Sequence, residues 1–446
     1  IGPLASDSTK IKFEVTNASG GRFYVNETVS STNLICTSVF VDEVTGTAPE
    51  IRQIVRSFAS NDGVARTIIH PALKDGEVVS DADTVVAGHR YGMVCSYDGS
   101  SVHRFGLGTN QSFEAVGSVT LSQPQVEVGL TPTAYIENTS TSSTATAGIK
   151  EDEPRFDYPL TGGAPALLIE PERRNLMEHS EYMASYDFAT SRVGVTSNYG
   201  ISPQGVKNST LVSNTAETGN KRLYGSNAFS VTSGTSYTAS VFAKKGTLKK
   251  ISMEILKSDE TSIGFDEAMF DLDAGTASYI HGSSSTSNAV IEDFGNGWFR
   301  CSITDSPTSS ESSSRLYIYF LPDDATTAGD KNYAGSTSEN VELFGAQVEE
   351  GANATSYIPC HGAAATRSAD TIAALTSIPS VNTSTYTFFA HVSQANTGGE
   401  GNRGPRMQNA SNDSLMGYFI NSSNQKQFFL DPDSAGGGSN RTFSTT

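Results

Sequence analysis

The sequence predicts an all-β protein, built as tandem β-sandwich modules joined by an extended, proline-rich linker. Three observations carry that expectation. Short segments that alternate apolar and polar residues recur along the chain, separated by clusters of Gly, Asn and Asp. Almost nowhere is the i, i+3, i+4 apolar spacing of a long helix sustained. Of 446 residues, 37% are hydrophobic, only 17% are charged and 41 are Gly, which leaves the large share of Ser, Thr and Asn that turn-rich β proteins use.

The first region, residues 1–140, reads as one sandwich. Its strand-like words are KIKFEV, RFYVNETV, LICTSVFV, RTIIH, YGMVCSY and HRFGLG, with turns at Asn17-Ala18-Ser19-Gly20-Gly21, Asn61-Asp62-Gly63 and Asp98-Gly99. The helical exception is Pro49 to Ala59, where Ile51, Ile54, Val55 and Phe58 share one helical face, although the same residues also suit a strand. A Thr/Ser/Ala stretch after Asn138 has linker composition.

Residues 141–177 form the linker and a docking arm. Pro154, Pro159, Pro165 and Pro171 forbid a continuous helix and keep the segment extended around one short apolar run, Ala166-Leu167-Leu168-Ile169. That run is too short to span a membrane, so Leu167, Leu168 and Ile169 are expected to be buried against a neighbouring sheet.

A second module, residues 178–375, repeats parts of the first. Gln125-Val126-Glu127, Gly129 and Tyr135-Ile136 return as Gln347-Val348-Glu349, Gly351 and Tyr357-Ile358, at an offset of 347 − 125 = 222. Upstream, Ser38-Val39-Phe40-Val41 returns as Ser240-Val241-Phe242-Ala243 at 240 − 38 = 202, so the second copy carries about twenty extra residues between the echoes. Shared order makes internal duplication the better account. The third region, 376–446, has a strong strand at Thr385–Val392 and two more, SLMGYFIN and KQFFLD, joined by Asn421-Ser422-Ser423-Asn424.

Several functions are disfavoured. A formal net charge of −18 argues against nucleic acid, whose phosphates need clustered Lys and Arg. The notable basic cluster, Lys244-Lys245 with Lys249-Lys250, fits a solvated hairpin tip. Cys36, Cys95, Cys301 and Cys360 lack metal-ligand spacing and are too few for a disulfide framework. The seven His are scattered, GxSxG is absent, and the paired acids (Asp81/Asp83, Asp271/Asp273, Asp323/Asp324, Glu349/Glu350) fall at expected strand ends, so no catalysis and no cofactor are expected. No signal peptide or membrane span is evident, and the chain starts at Ile1 and stops within a strand-rich segment, which suggests a fragment, with the first module truncated at its N-terminus.

Six phrases in fixed order, PRFDY with LLIEPERRNLM, SYTASVFAKKG, MFDLDAGT, GNGWFRCSIT, LFGAQVEEGANATSYIP and TRSADTI, make the second module resemble the carbohydrate-binding-type jelly-roll modules of bacteriophage virion and tail proteins and related bacterial surface proteins. The first module keeps only SVFV and QVEVG with AYI, and TYTFFAHVS with RMQNASNDSLMGYFI resembles the start of a concanavalin-like, laminin-G-type sandwich. The resemblance implies a structural or adhesion component of a phage virion that binds host-surface glycans. It also implies a homo-oligomer, often a trimer in such settings, other virion proteins as partners, and a virion location outside the cell. The alternative is the non-catalytic binding portion of a secreted or cell-surface bacterial polysaccharide-active enzyme. A structural calcium ion at an acidic loop stays open, because jelly rolls often carry one, yet no segment has a dedicated calcium loop's ligand alternation.

Alternation names the candidate sugar-binding face. In Arg315 to Phe320, Leu316, Ile318 and Phe320 point to the core, and Arg315, Tyr317 and Tyr319 point the other way. Arg222 and Tyr224 join them if NKRLYG is the adjacent strand, tyrosine rings serving as stacking surfaces for pyranose faces. The competing expectation packs both tyrosines under a covering loop or a neighbouring subunit. Trp298, the only tryptophan, follows Gly295-Asn296-Gly297, a tight turn entering a strand, and is read as an anchor.

Overall fold

The computed structural model describes residues 2–4, 7–15, 22–29, 34–58, 66–97, 101–108, 117–137, 155–158, 165–184, 188–281, 288–370, 406–408, 414–420, 426–430 and 441–444. The chain divides into two compact units, 1–370 and 371–446, and nearly all of its regular structure is antiparallel strand. The first unit holds both duplicated modules.

In the first module, seven strands form one sheet in the order Gly2–Leu4, Asp7–Val15, Gly117–Val128, Leu34–Gly46, His89–Tyr97, Arg66–Lys74, Glu77–Val78. A second sheet joins Arg22–Val29, Ser101–Gly108 and Arg56–Phe58. The helical expectation at 49–59 is met by a single turn, Ile51–Ile54, followed by the strand Arg56–Phe58. Ile51, Ile54 and Val55 are all buried, so the apolar spacing reports burial even though the helix stops after four residues.

The second module is a complete sandwich. One sheet runs Val193–Thr196, Thr210–Asn214, Asn340–Glu350, Tyr237–Lys245, Trp298–Asp305, Asn288–Asp293. The facing sheet runs Phe188–Ser191, Arg222–Gly225, Glu311–Leu321, Lys250–Lys257, Glu267–Asp271, Thr276–His281, with Phe229–Val231 also on Glu311–Leu321. The chain passes repeatedly from sheet to sheet. Between them lies one apolar core that includes Ile251, Met253, Ile255, Leu316, Ile318 and Phe320, each contributing about 1.5–3 kcal/mol of burial. The basic stretch is not a hairpin tip. Strands Tyr237–Lys245 and Lys250–Lys257 lie in different sheets, so residues 246–249 cross the sandwich edge, with Leu248 buried and Lys245 and Lys249 paired to Asp273.

The duplication extends to individual hydrogen bonds. Gln125 Nε2 donates to Glu127 Oε1 at 2.7 Å, the Thr133 N–H and hydroxyl donate to the same carboxylate at 3.0 and 2.6 Å, and Ile136 N–H donates to Gln125 Oε1 at 2.9 Å. Shifted by 222, Gln347, Glu349, Thr355 and Ile358 repeat each bond at 2.7, 2.8, 2.7 and 2.8 Å. Arg90 donates to Ser38 Oγ and Arg300 to Ser240 Oγ, from matching registers Phe40–Arg90 and Phe242–Arg300. Each module thus ties its closing strand to the loop that follows with one bracket, which satisfies backbone donors that a buried loop would otherwise strand.

The arm departs from expectation. Phe156–Asp157 pairs with Ala166–Leu167, but Leu167 and Ile169 are 49% and 53% exposed and only Leu168 is partly covered. Docking is polar instead. Arg155 pairs with Asp370 and Glu170, Glu170 also meets Arg367 at 2.9 Å and accepts the Ser356 N–H, and Glu170 N–H donates to Asp370. Alternation in a ribbon covered on one side sends 168 and 170 inward and 167 and 169 outward. Further along, Arg173–Asn175 pairs with Ala365–Arg367, and the fully buried Asn175 donates to Ala346 and Ile358 carbonyls and accepts from Met177 and Val348.

The two modules share a seam. Tyr182 of the second enters a cluster with Leu34, Cys36, Leu73, Val94 and Leu130 of the first. Leu34 N–H donates to the His361 carbonyl at 2.9 Å, and Asn198 Nδ2 donates to Leu130 and Gly76 carbonyls. Gly76 has φ +84°, and a Cβ there would lie 2.6 Å from Thr131 Oγ1, so a side chain would be both strained and crowded.

In the second unit, Arg406–Gln408, Ser414–Ile420, Lys426–Leu430 and Arg441–Ser444 form a four-stranded antiparallel sheet, with the expected hairpin between the middle two. The expected strand at 385–392 lies outside the described residues.

Candidate functional site

The predicted face exists as a register. Arg222 pairs with Tyr319 and Tyr224 with Tyr317, so the two segments are neighbouring strands and their side chains share the face turned away from the core. Tyr224 stacks on Tyr317 at 5.2 Å, Tyr317 follows Tyr319 at 6.2 Å, and the Arg222 guanidinium lies 5.4 and 5.6 Å from the Tyr224 and Tyr317 rings. Arg315 sits farther along, opposite Leu256, half-buried.

The rings are not open platforms. Tyr317 and Tyr319 are 1% and 3% exposed, and Tyr224 is half-buried. The cover comes from the segment after the strand, which brings the Lys331 ammonium 3.8 Å from the Tyr319 ring centre. That cover is pinned. Thr218–Asn220 pairs with Asn332–Ala334, and Lys221 Nζ donates to the carbonyls of Glu217, Gly219 and Tyr333.

What remains accessible is a polar cleft of about 320 Å³, lined by Asn220, Arg222, Glu254, Leu256, Glu260, Ser262, Glu267, Tyr319 and Lys331. Its size lies at the lower end of small-ligand sites. Of the five residues picked from sequence, Arg222 and Tyr319 line it; Tyr224, Tyr317 and Arg315 do not. Arg222 forks onto Glu260 with two bonds of 2.5 Å. Lys331 Nζ bridges Glu254 at 2.9 Å and Glu267 at 2.6 Å, and Ser252 donates to the far oxygen of Glu267. Burial, and then the neighbouring Glu254, push the Glu267 carboxyl above the ordinary range, and burial pushes the Tyr319 hydroxyl up. Every charged group in the cleft is thereby fixed by another, a preorganised surface that needs little ordering to receive a ligand.

No protein-family model and no curated protein matches the chain. Among solved structures, it is similar to the N-terminal CBM22-1-CBM22-2 tandem domain of Xyn10C from Paenibacillus barcinonensis, at 14% identity and a TM-score of 0.23, over 77% of this chain and 87% of that one.

Asn220, Glu254, Glu260, Ser262, Glu267 and Lys331 do not stand out in the sequence. For Glu254 a signal is nonetheless present. In KISMEILK, Ile251, Met253 and Ile255 take the core parity and Ser252 and Glu254 the other, and a charge inside so apolar a strand needs a partner. Lys331 carries no such mark, because it lies in a short 3-10 turn of ordinary composition.

Trp298 is an anchor. It is buried with Phe242 and Phe344, and its Nε1 donates to the Ile201 carbonyl at 3.0 Å. Gly295, Asn296 and Gly297 all have positive φ, and Trp298 N–H closes the turn on the Gly295 carbonyl. The four cysteines are buried and none is in a disulfide. Among the described residues, no group of three or more His, Cys, Asp or Glu could hold a metal ion, and no helix is long and apolar enough to cross a membrane.

Proposed function

We propose that this chain is a non-catalytic structural and adhesion protein whose second module binds glycans in the polar cleft beside Tyr319. The observation that carries the proposal is the cleft itself, an accessible, ion-pair-fixed set of hydrogen-bonding groups on the sheet face of a β-sandwich. Hydroxyl-rich ligands are recognised by such fixed donors and acceptors. The order of sequence phrases supports a finer proposal, a fibre, appendage or decoration of a phage virion, assembled as a homo-oligomer with other virion proteins and displayed outside the cell. The sewn seam between modules suits a stiff projecting array. The same cleft would equally serve the binding portion of a secreted polysaccharide-active enzyme, and the presence or absence of a catalytic domain in the product of the full gene separates the two.

The test is a glycan array probed with the whole chain and with Arg222→Ala. Binding that the substitution reduces at least tenfold, in a protein that still unfolds in one cooperative transition, is the expected result. No binding to any glycan would defeat the proposal.

A further inference from the structure

We infer that the cleft selects neutral, hydroxyl-rich glycan units and excludes carboxylated or sulfated ones; the inference rests on the glycan-binding proposal above. The cleft holds three carboxylates, Glu254, Glu260 and Glu267, against two cations, Arg222 and Lys331, a balance of 2 − 3 = −1. Were Glu267 protonated, the balance would be zero, and an anionic ligand would still find no surplus positive charge.

Geometry strengthens the count. Both nitrogens of the Arg222 fork are already engaged by Glu260, and the Lys331 ammonium is already shared between two carboxylates while resting on the Tyr319 ring. An incoming carboxylate or sulfate could pair with either cation only by displacing an internal carboxylate, which would then be left partly buried and unpaired. The backbone next to Lys331 is itself held, because strand 332–334 is paired to 218–220 and tied by Lys221, so the loop does not carry the ammonium away from its two carboxylates. A hydroxyl group makes no such demand. It can donate to a free lone pair of Glu260 or Glu254 and accept from an uncharged donor. Two uncharged side chains, Asn220 and Ser262, line the same cleft. Ser262 Oγ accepts from the Gly264 N–H at 3.0 Å, so its own hydrogen remains available. The chain's net charge of −18 works in the same direction at longer range, slowing the approach of polyanionic glycans at low salt.

The deciding experiment is titration calorimetry of the whole chain at fixed ionic strength. The probes are three panels of matched length: neutral hexose oligosaccharides, uronate oligosaccharides and sulfated oligosaccharides. Neutral ligands should bind at least about tenfold more tightly than their charged counterparts, since like charges across a site are strongly disfavoured. The paired substitution Asn220→Ala/Ser262→Ala, which removes no internal ion pair, should weaken neutral binding. Glu260→Gln, which frees the Arg222 charge, should narrow the neutral-to-uronate ratio at least threefold. If uronates or sulfated sugars bind as tightly as neutral ones and Asn220→Ala/Ser262→Ala weakens them, glycan binding in this cleft stands and the selectivity is refuted. If binding occurs but ignores both Asn220→Ala/Ser262→Ala and Glu260→Gln, the site lies elsewhere and the inference is refuted. If no panel binds, the inference falls together with the proposed function.

Discussion

Acidification should weaken the seam between the first two modules, with His70 as the main sensor. His70 lies buried on the strand Arg66–Lys74, its Nε2 3.3 Å from Ser197 Oγ and its ring edge-on to Tyr182 at 6.4 Å. Burial lowers its pKa from 6.5 to about 4, against a smaller opposing pull from a hydrogen bond with the Asn198 side chain. The folded value lies below the unfolded one, so the contribution to stability is complete above pH 6.5, shrinks as pH falls below it, and is spent near pH 4. At 1.36 kcal/mol per pK unit, the difference is about 3 kcal/mol. His179 behaves alike, lowered to about 4 by burial and then by His361. It sits near Glu181, which lies 3.8 Å from His361 Nε2 and accepts from the Tyr357 hydroxyl at 3.2 Å. The assay is urea unfolding of the wild type and His70→Gln at pH 7, 5 and 4, with His70→Gln/His179→Gln as a second variant. Carboxylates elsewhere titrate in both proteins and cancel in the comparison. Between pH 7 and 4 the wild type should lose about 3 kcal/mol more than His70→Gln, and the double variant should have the flatter profile. Parallel stability curves for wild type and both variants would refute the assignment.

Two further outcomes follow from the brackets and the anchor. Glu349→Ala should cost about 3 kcal/mol or more, because Glu349 is fully buried and its loss strands Gln347 and two donors of Thr355, whereas Glu127→Ala, at a half-buried site, should cost about 1 kcal/mol; denaturant midpoints of the two variants check the ranking. Trp298→Phe should lose about 1 kcal/mol with the Ile201 bond, and Trp298→Ala about 3–5 kcal/mol with the filled volume, both read as melting temperature.

Period-two alternation made much of the fold legible, because each strand of a two-sheet sandwich needs one apolar face. Leu316, Ile318 and Phe320 fall in the core for that reason, and the register of Arg222 and Tyr224 against Tyr319 and Tyr317 follows the same parity. Parity names a face but not what lies over it. Tyr317 is covered by the stacked Tyr224 ring, and Tyr319 is closed off by Lys331, a residue of a later loop whose path depends on the Lys221 ties and on a three-residue strand pair, neither of which has a periodic signature. The exposure of Leu167 and Ile169 has a related cause. An apolar run predicts burial only when a sheet covers both sides, and here the docking energy sits in Arg155 and Glu170 of the arm and in Arg367 and Asp370, about two hundred residues further on.

The duplication also bears on why the cleft belongs to the second module. The closing brackets share one offset and one hydrogen-bond pattern, so they are the part the two modules have in common. Between the copies the offset is 202 at the opening serine, 300 − 90 = 210 at the buried arginine and 222 at the closing glutamine. Of the added residues, 222 − 210 = 12 therefore lie between Arg300 and Gln347. That interval contains Glu311–Leu321, which carries Tyr317 and Tyr319, and the segment that lays Lys331 over Tyr319. The second module is the longer one where the cleft is built, and the two match where the bracket closes. A first-module site of the same design would need that extra segment, so glycan binding, if carried by this geometry, is expected from one module of the pair. Calorimetry of the whole chain should accordingly give one glycan equivalent per chain, lost with Arg222→Ala; two equivalents, one of them surviving that substitution, would show that the first module binds by a different design.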